Sequence, residues 1–128
     1  MRKLYFASLA NLFIVVSALC GAPCQAGVLV SDVGSDSVLE FDAATGAFLG
    51  TFASGGGLDV PTGMTFGPDG NLCMASDAND ILRYNGTTGA FIDQFMSGGG
   101  IIKSRYLTFG LDGNLYVAQT FEFVGGDN

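Results

Sequence analysis

Histidine and tryptophan are absent from the 128 residues, and five basic residues face twelve acidic ones, for a net charge of −7. Without histidine the chain lacks the one side chain that titrates near neutrality unaided, so histidine-based acid–base catalysis and histidine metal ligation are excluded. The acidic balance repels phosphate backbones and argues against nucleic acid as a partner. Cysteine is scarce, at Cys20, Cys24 and Cys73. The first two lie beside the N-terminal apolar run, which leaves Cys73 single and gives no internal disulfide framework. No segment has the length and 3.6-residue periodicity of an amphipathic helix. Only one long apolar run is present, and it is N-terminal.

That run covers residues 4–19 and follows Arg2 and Lys3, the layout of a secretory signal peptide with a helical core. It suits a signal core and is short of the ~20 residues a spanning helix needs. Small residues flank Gln25, so cleavage is expected after Ala26, with residues 1–26 as leader and export to the periplasm, cell surface or medium. A retained membrane anchor is the alternative. Leu19 and Pro23 precede the two cysteines, where lipoprotein processing needs small residues. Residues 27–128 would then carry three basic residues against twelve acids, a net charge of −9, and no stable membrane span.

What the chain does have is a repeat. TFGPDGNL begins at Thr65 and TFGLDGNL at Thr108, an offset of 43 residues. Aligning residues 39–76 with 82–119 needs no gap, and eighteen of the 38 pairs are identical, too many for chance. They include Thr45/Thr88, Phe48/Phe91, Phe52/Phe95 and two glycine triplets, 55–57 and 98–100. A period in this range means stacked supersecondary units, and four-stranded propeller blades use one near 40–45.

Inside one period, short apolar runs over 63–66, 71–75, 81–85 and 90–96 are separated by turn signals, as four strands would be. Pro68 presets one corner of a tight turn, and Gly70 supplies a positive φ. Leu111 replaces the proline in the later copy while Asp112 and Gly113 remain. Gly46 and Gly89 are expected to serve the other turn. The runs at 71–75 and 114–118 do not alternate with polar residues, so their strands are expected to be covered on both faces. Stacked propeller blades meet that need, other all-β repeats being the alternative. The expected fold is therefore all-β: an incomplete β-propeller of about two four-stranded antiparallel blades after a signal helix. Residues 27–53 give a partial blade, 62–96 a complete one and 105–128 a partial one.

The strand pair from Gly63 to Ala75, the Asp/Asn-x-x-Thr-Gly turn and the phenylalanine-bearing outer strand resemble NHL-type repeats. The resemblance covers residues 27–124. It implies kinship with secreted bacterial propellers, including the streptogramin-lyase and gluconolactonase-like ones. Closure takes four to eight blades, so a fragment of a longer frame is expected, with assembly of several copies as the alternative. Lyases of this kind look like histidine and metal users, and the lactonase-like relatives hold a metal through residues spread around the ring. No such residue transfers to this chain, and no catalytic residue, metal or cofactor is expected.

In an up-and-down meander, successive turns fall on opposite edges. One edge would receive Asp32, Asp36, Asp77, Asn79 and Asp80 from one set of loops, and Asp59, Lys103 and Arg105 from the other. Longer loops on a rigid scaffold favour binding, so this edge is the candidate site, with loop capping as the structural alternative. Asp77-Ala-Asn-Asp lacks the spacing of a calcium loop. The glycine triplets lack the Lys-Ser/Thr and helix of a phosphate loop and read as flexible connections. Asn85-Gly86-Thr87 is a glycosylation sequon at a turn. Cys73 aligns with Val30 and Tyr116, which argues for a buried apolar role. The expected function is a non-catalytic binding or scaffold module for a protein, small-molecule or carbohydrate ligand, or part of a propeller enzyme. Self-association through open blade edges is a further expectation.

Overall fold

The computed structural model describes residues 14–17, 27–78, 80–100 and 103–119. These are all-β, with no helix among the described residues. Strands β1 (Ile14–Ser17), β2 (Gly27–Asp32), β3 (Ser37–Asp42) and β4 (Phe48–Ser54) lie in one antiparallel sheet, in that order. Strands β5 (Met64–Phe66), β6 (Leu72–Ser76), β7 (Asp80–Tyr84) and β8 (Phe91–Ser97) form a second, and β9 (Ser104–Phe109) and β10 (Leu115–Gln119) a third. Every pairing joins sequence neighbours, so each sheet is a meander.

The local chemistry of the turns recurs from sheet to sheet. Gly70 and Gly113 both have φ of 80°, with the N–H of each on the carbonyl three residues back. Asp69 and Asp112 close these turns by accepting from the N–H and the side-chain amide of Asn71 and Asn114, at 3.0 and 2.8 Å in both. Asp42 and Asn85 do the equivalent job in the other turn, each taking two backbone N–H groups, and Gly46 and Gly89 follow with φ of 71°.

The sheets stack face to face. Leu29, Val38 and Ala53 of the first sheet meet Met64, Leu72, Met74, Leu82 and Tyr84 of the second. The other face of the second sheet, with Cys73, Ala75 and Ile81, meets Leu107, Phe109, Leu115 and Val117 of the third. Each sheet thus has a trailing face toward the sheet before it and a leading face toward the sheet after it. Covering on both faces explains why all five residues of β6 are buried. Each large apolar side chain buried this way contributes roughly 1.5–3 kcal/mol.

The expected covering on both faces holds for 72–75 but not for 114–118, where Tyr116 and Ala118 are exposed because no sheet lies against that face among the described residues. Further expectations need correction. Ile14–Ser17, within the segment expected to be a helical leader, is a strand. Ile14, Val15 and Val16 are β-branched and favour extended backbone, and β2 offers them an otherwise unpaired edge. Ile14 pairs with Val30 and Val16 with Val28, the register in which Met64 pairs with Met74 and Phe66 with Leu72. Nor does Cys73 correspond to Val30. Cys73 lies opposite Arg83, and Leu29 lies opposite Glu40, which aligns with Arg83. The β2–β3 turn is one residue longer than the β6–β7 turn, so Leu29 takes the place of Cys73 and Val30 that of Met74.

The first glycine triplet is pinned rather than loose. All three residues have positive φ, Gly55 accepts the Tyr84 hydroxyl at 2.7 Å, and a Cβ on Gly56 would strike the Phe91 ring.

Candidate functional site

The β2–β3 and β6–β7 turns share an edge with the segment 55–63 that leads into β5. The Asp36 carboxylate reaches across 24 residues of sequence to accept the Val60 N–H at 2.9 Å. The Asp77 N–H donates to the Asp59 carbonyl at 2.9 Å, and the Ser76 hydroxyl contacts the Asp59 N–H and carbonyl, both at 3.0 Å. Residues from successive sheets are therefore joined along one edge. Asp36, Val60 and Lys103 are the non-glycine residues with positive φ among those described, at 47°, 44° and 48°. A β-branched residue such as valine is strained there. Val60 and Lys103 are one 43-residue period apart, so the strain recurs at the entry to β5 and to β9.

The expected site residues take different roles. Asp32 is turned onto its own loop, accepting from the Gly34 N–H at 3.2 Å and the Ser35 hydroxyl at 2.6 Å. The Ser35 hydroxyl, then the Gly34 N–H, hold its carboxyl below the usual range. Asp36 braces Val60. Asp77 is half-buried beside Asp59. Asp80 opens β7, opposite Ser76 and Ser97. Asn79 lies outside the described residues. Lys103 and Arg105 are half-buried at the start of β9. The Arg105 backbone carbonyl comes so close to β5 that a Cβ on Gly63 would sit 2.6 Å from it.

A line of buried hydroxyls runs behind this edge. The Ser31 hydroxyl donates to the Thr62 carbonyl at 3.2 Å, and the Thr62 hydroxyl donates to the Ser104 carbonyl. The Thr62 N–H donates to the Ala75 carbonyl at 3.0 Å. Thr62 thus ties together all three sheets. The Ser104 hydroxyl is buried and has no hydrogen-bond partner among the described residues. Sequence reasoning missed these residues. Their signal was a small polar residue at the end of an apolar run, Val-Leu-Val-Ser31 and Cys-Met-Ala-Ser76, which also reads as an ordinary strand end.

The opposite edge carries the tight turns. Arg83 makes a two-pronged contact with Asp93, at 3.0 and 2.6 Å, lies 3.6 Å from Asp69, and rests 5.2 Å from the centre of the Phe95 ring. Asn71 first, with Arg83 a smaller influence, holds the Asp69 carboxyl below the usual range. Cys73 is buried nearby, and desolvation pushes its thiol up to about 11. Such a thiol is protonated at neutral pH and is a poor nucleophile.

Among the described residues no cluster of three or more histidine, cysteine or acidic side chains could hold a metal ion. No helix among them is long and apolar enough to cross a membrane. No protein-family model matches the chain, and no curated protein does.

Proposed function

We propose that residues 27–128 are an exported part of an NHL-type β-propeller, acting as a non-catalytic binding or scaffold module through the edge that carries Asp36, Asp59, Asp77 and Asp80. The bond from Asp36 to Val60 carries this reading: it spends a charged side chain and a strained valine on fixing one loop against another. Rigid loops at one edge lower the entropy lost when a ligand is held. The chemistry of the charged groups supports binding over catalysis. Asp32 and Asp36 have oxygens committed to their own scaffold, and the Cys73 thiol is buried and protonated. The ligand is a protein, small molecule or carbohydrate compatible with a negatively charged rim.

The experiment is a screen of glycan and peptide arrays with the exported protein, followed by titration of any hit. Asp77→Asn and Asp36→Ala should weaken a hit at least tenfold. Binding that survives both changes moves the site elsewhere. Turnover of lactone or macrocyclic-lactone substrates by the purified protein replaces this reading with the propeller-enzyme alternative.

A further inference from the structure

Two turns one period apart are built alike around different side chains. Asp42 stands at the head of the β3–β4 turn and Asn85 at the head of the β7–β8 turn. Their N–H groups donate to the Ala47 and Ala90 carbonyls, and their own carbonyls accept from the Gly46 and Gly89 N–H groups, all at 2.8 Å. The Asp42 carboxylate takes the Ala44 and Thr45 N–H groups at 2.8 and 2.7 Å. The Asn85 side-chain carbonyl takes those of Thr87 and Thr88, both at 2.9 Å. Ala43 follows the aspartate, whereas Gly86 follows the asparagine. That pairing is reactive. The amide nitrogen of the next residue can close a five-membered ring on an asparagine carboxamide carbon, and glycine has no side chain to crowd the approach. The Gly86 N–H has no hydrogen-bond partner among the described residues. The two threonine N–H groups stabilise negative charge developing on the side-chain oxygen. Thr87 and Thr88 are exposed, so water reaches the turn. Asn71 and Asn114 differ: each precedes a leucine, and their side-chain amides donate to Asp69 and Asp112.

We infer that Asn85 is a self-modification site, converting to aspartate through attack by the Gly86 nitrogen at a rate gated by opening of its turn. The Gly86 nitrogen gives its proton to solvent and bonds to the Asn85 carboxamide carbon. The carbon–nitrogen bond of the carboxamide breaks, and ammonia leaves with a proton from solvent. One water then opens the cyclic imide. Opening at the side-chain carbonyl gives aspartate. Opening at the main-chain carbonyl gives isoaspartate, in which the chain runs through Cβ. One water is consumed, one ammonia is released, and the turn gains one negative charge at neutral pH. The inference is independent of ligand binding at the loop edge.

The fold sets both rate and product. Ring closure must swing the Gly86 nitrogen toward the side chain. Gly86 is packed against the Gly70 carbonyl, and Gly89 against the Phe52 carbonyl, with no room for a Cβ on either. The turn must therefore loosen before the ring closes. Aspartate is a product for which the same turn already exists. Asp42 makes the contacts that Asn85 makes and accepts one more, from the Thr45 hydroxyl at 3.0 Å. The Thr45 N–H, then the Thr45 hydroxyl and the Ala44 N–H, hold that carboxyl below the usual range. Thr88 stands one period after Thr45, ready to give the same support at position 85. Isoaspartate instead adds an atom to the main chain, which both packed glycines oppose.

Peptide mapping by mass spectrometry, with fragmentation that separates aspartate from isoaspartate, tests this on the full chain held at mildly alkaline pH. Conversion is expected at Asn85 and not at Asn71 or Asn114. It should be about tenfold or more slower in the folded chain than in denaturant, and Gly86→Ala should slow it about tenfold or more in denaturant, where folding plays no part. Asn85→Asp should melt at or above the wild-type temperature, and chains carrying isoaspartate below it. Equal rates in the folded and denatured chains overturn the inference, since the turn then gates nothing. So does conversion of Asn71 or Asn114 as fast as that of Asn85, or a Gly86→Ala chain that converts at the wild-type rate in denaturant. A folded chain that stays unconverted long after the denatured chain has reacted fully also overturns it, as does an Asn85→Asp variant that melts below wild type.

Discussion

The strands β6, Leu72–Ser76, and β10, Leu115–Gln119, stand one period apart, share leucine and alanine at matching positions and follow the same Asp-Gly-Asn corner, yet their surroundings differ completely. All five residues of β6 are buried, while β10 has none. Leu72 is 0% exposed, whereas its counterpart Leu115 is half-buried. Sequence sets the strand, turn and register; the neighbour on each side sets the energy. The second sheet has a neighbour on both faces, and the third has one on its trailing face alone among the described residues. Equal residues in the two sheets should therefore carry unequal weight.

The sharpest break in this comparison involves two glycines with the same φ of 71°. A Cβ on Gly46 would meet open space, but a Cβ on Gly89 would collide with the Phe52 carbonyl of the adjacent sheet. Gly46→Ala should cost the ~1–2 kcal/mol of left-handed backbone, and Gly89→Ala more than about 4 kcal/mol, because the inter-sheet contact must also shift. Chemical denaturation of the two variants measures both. Equal losses would show that Gly89 is not held against β4.

Leucine truncation sharpens the comparison next. Leu72→Ala empties a position covered on both sides and should lose about 2–5 kcal/mol. Leu115→Ala should lose under about half of that, since the residue keeps solvent contact already. A matching pair of denaturation midpoints would mean that the third sheet is as fully covered as the second.

The hairpin glycines should behave alike instead. Gly70 and Gly113 share φ of 80° and open space around the missing Cβ. Gly70→Val and Gly113→Val should each cost about 1–3 kcal/mol through backbone strain. An unchanged midpoint in Gly70→Val removes the turn as a source of stability.

The smallest effect is on acid stability. Asn71 and Asn114 hold the carboxyls of Asp69 and Asp112 below the usual range, with the Tyr116 hydroxyl adding to Asp112. A carboxylate with a lowered folded value stabilises fully above its unfolded value of about 3.9 and loses that contribution as pH falls through the folded one. Asp69→Asn and Asp112→Asn should each lower the melting temperature slightly at pH 7 and flatten its fall below about pH 4, so that the difference from wild type disappears in acid. Steeper acid loss in either variant would reverse the sign assigned here.

Much of the architecture was readable because it is local and repeated. The all-β character, the glycine turns and the double covering of residues 72–76 follow from short apolar runs and corner residues. Three features were hidden for physical reasons. The extra residue in the β2–β3 turn lies upstream of the gapless alignment, where too few identities survive to show a shift of one. The strand formed by Ile14–Ser17 depends on a free edge that exists only once β2 has folded. The shared loop edge was legible as a place but not as a set of contacts. The sequence positions of Asp36 and Val60 do not reveal their bond, and nothing in a lone threonine marks Thr62 as the meeting point of three sheets.

That threonine has a kinetic consequence. The hairpins close over short stretches of chain, but the Ser31–Thr62 and Thr62–Ser104 bonds close 31 and 42 residues. Loop closure of that length must be met before either bond forms. Meanders should therefore form early and independently, and Thr62 should lock them late. In a stack whose sheets touch only their neighbours, opening then starts at an end and travels inward. The amides of the second sheet, held from both sides, should be the last to exchange with solvent, and the Thr62 lock should be the step that lets the outer sheets open before the middle one.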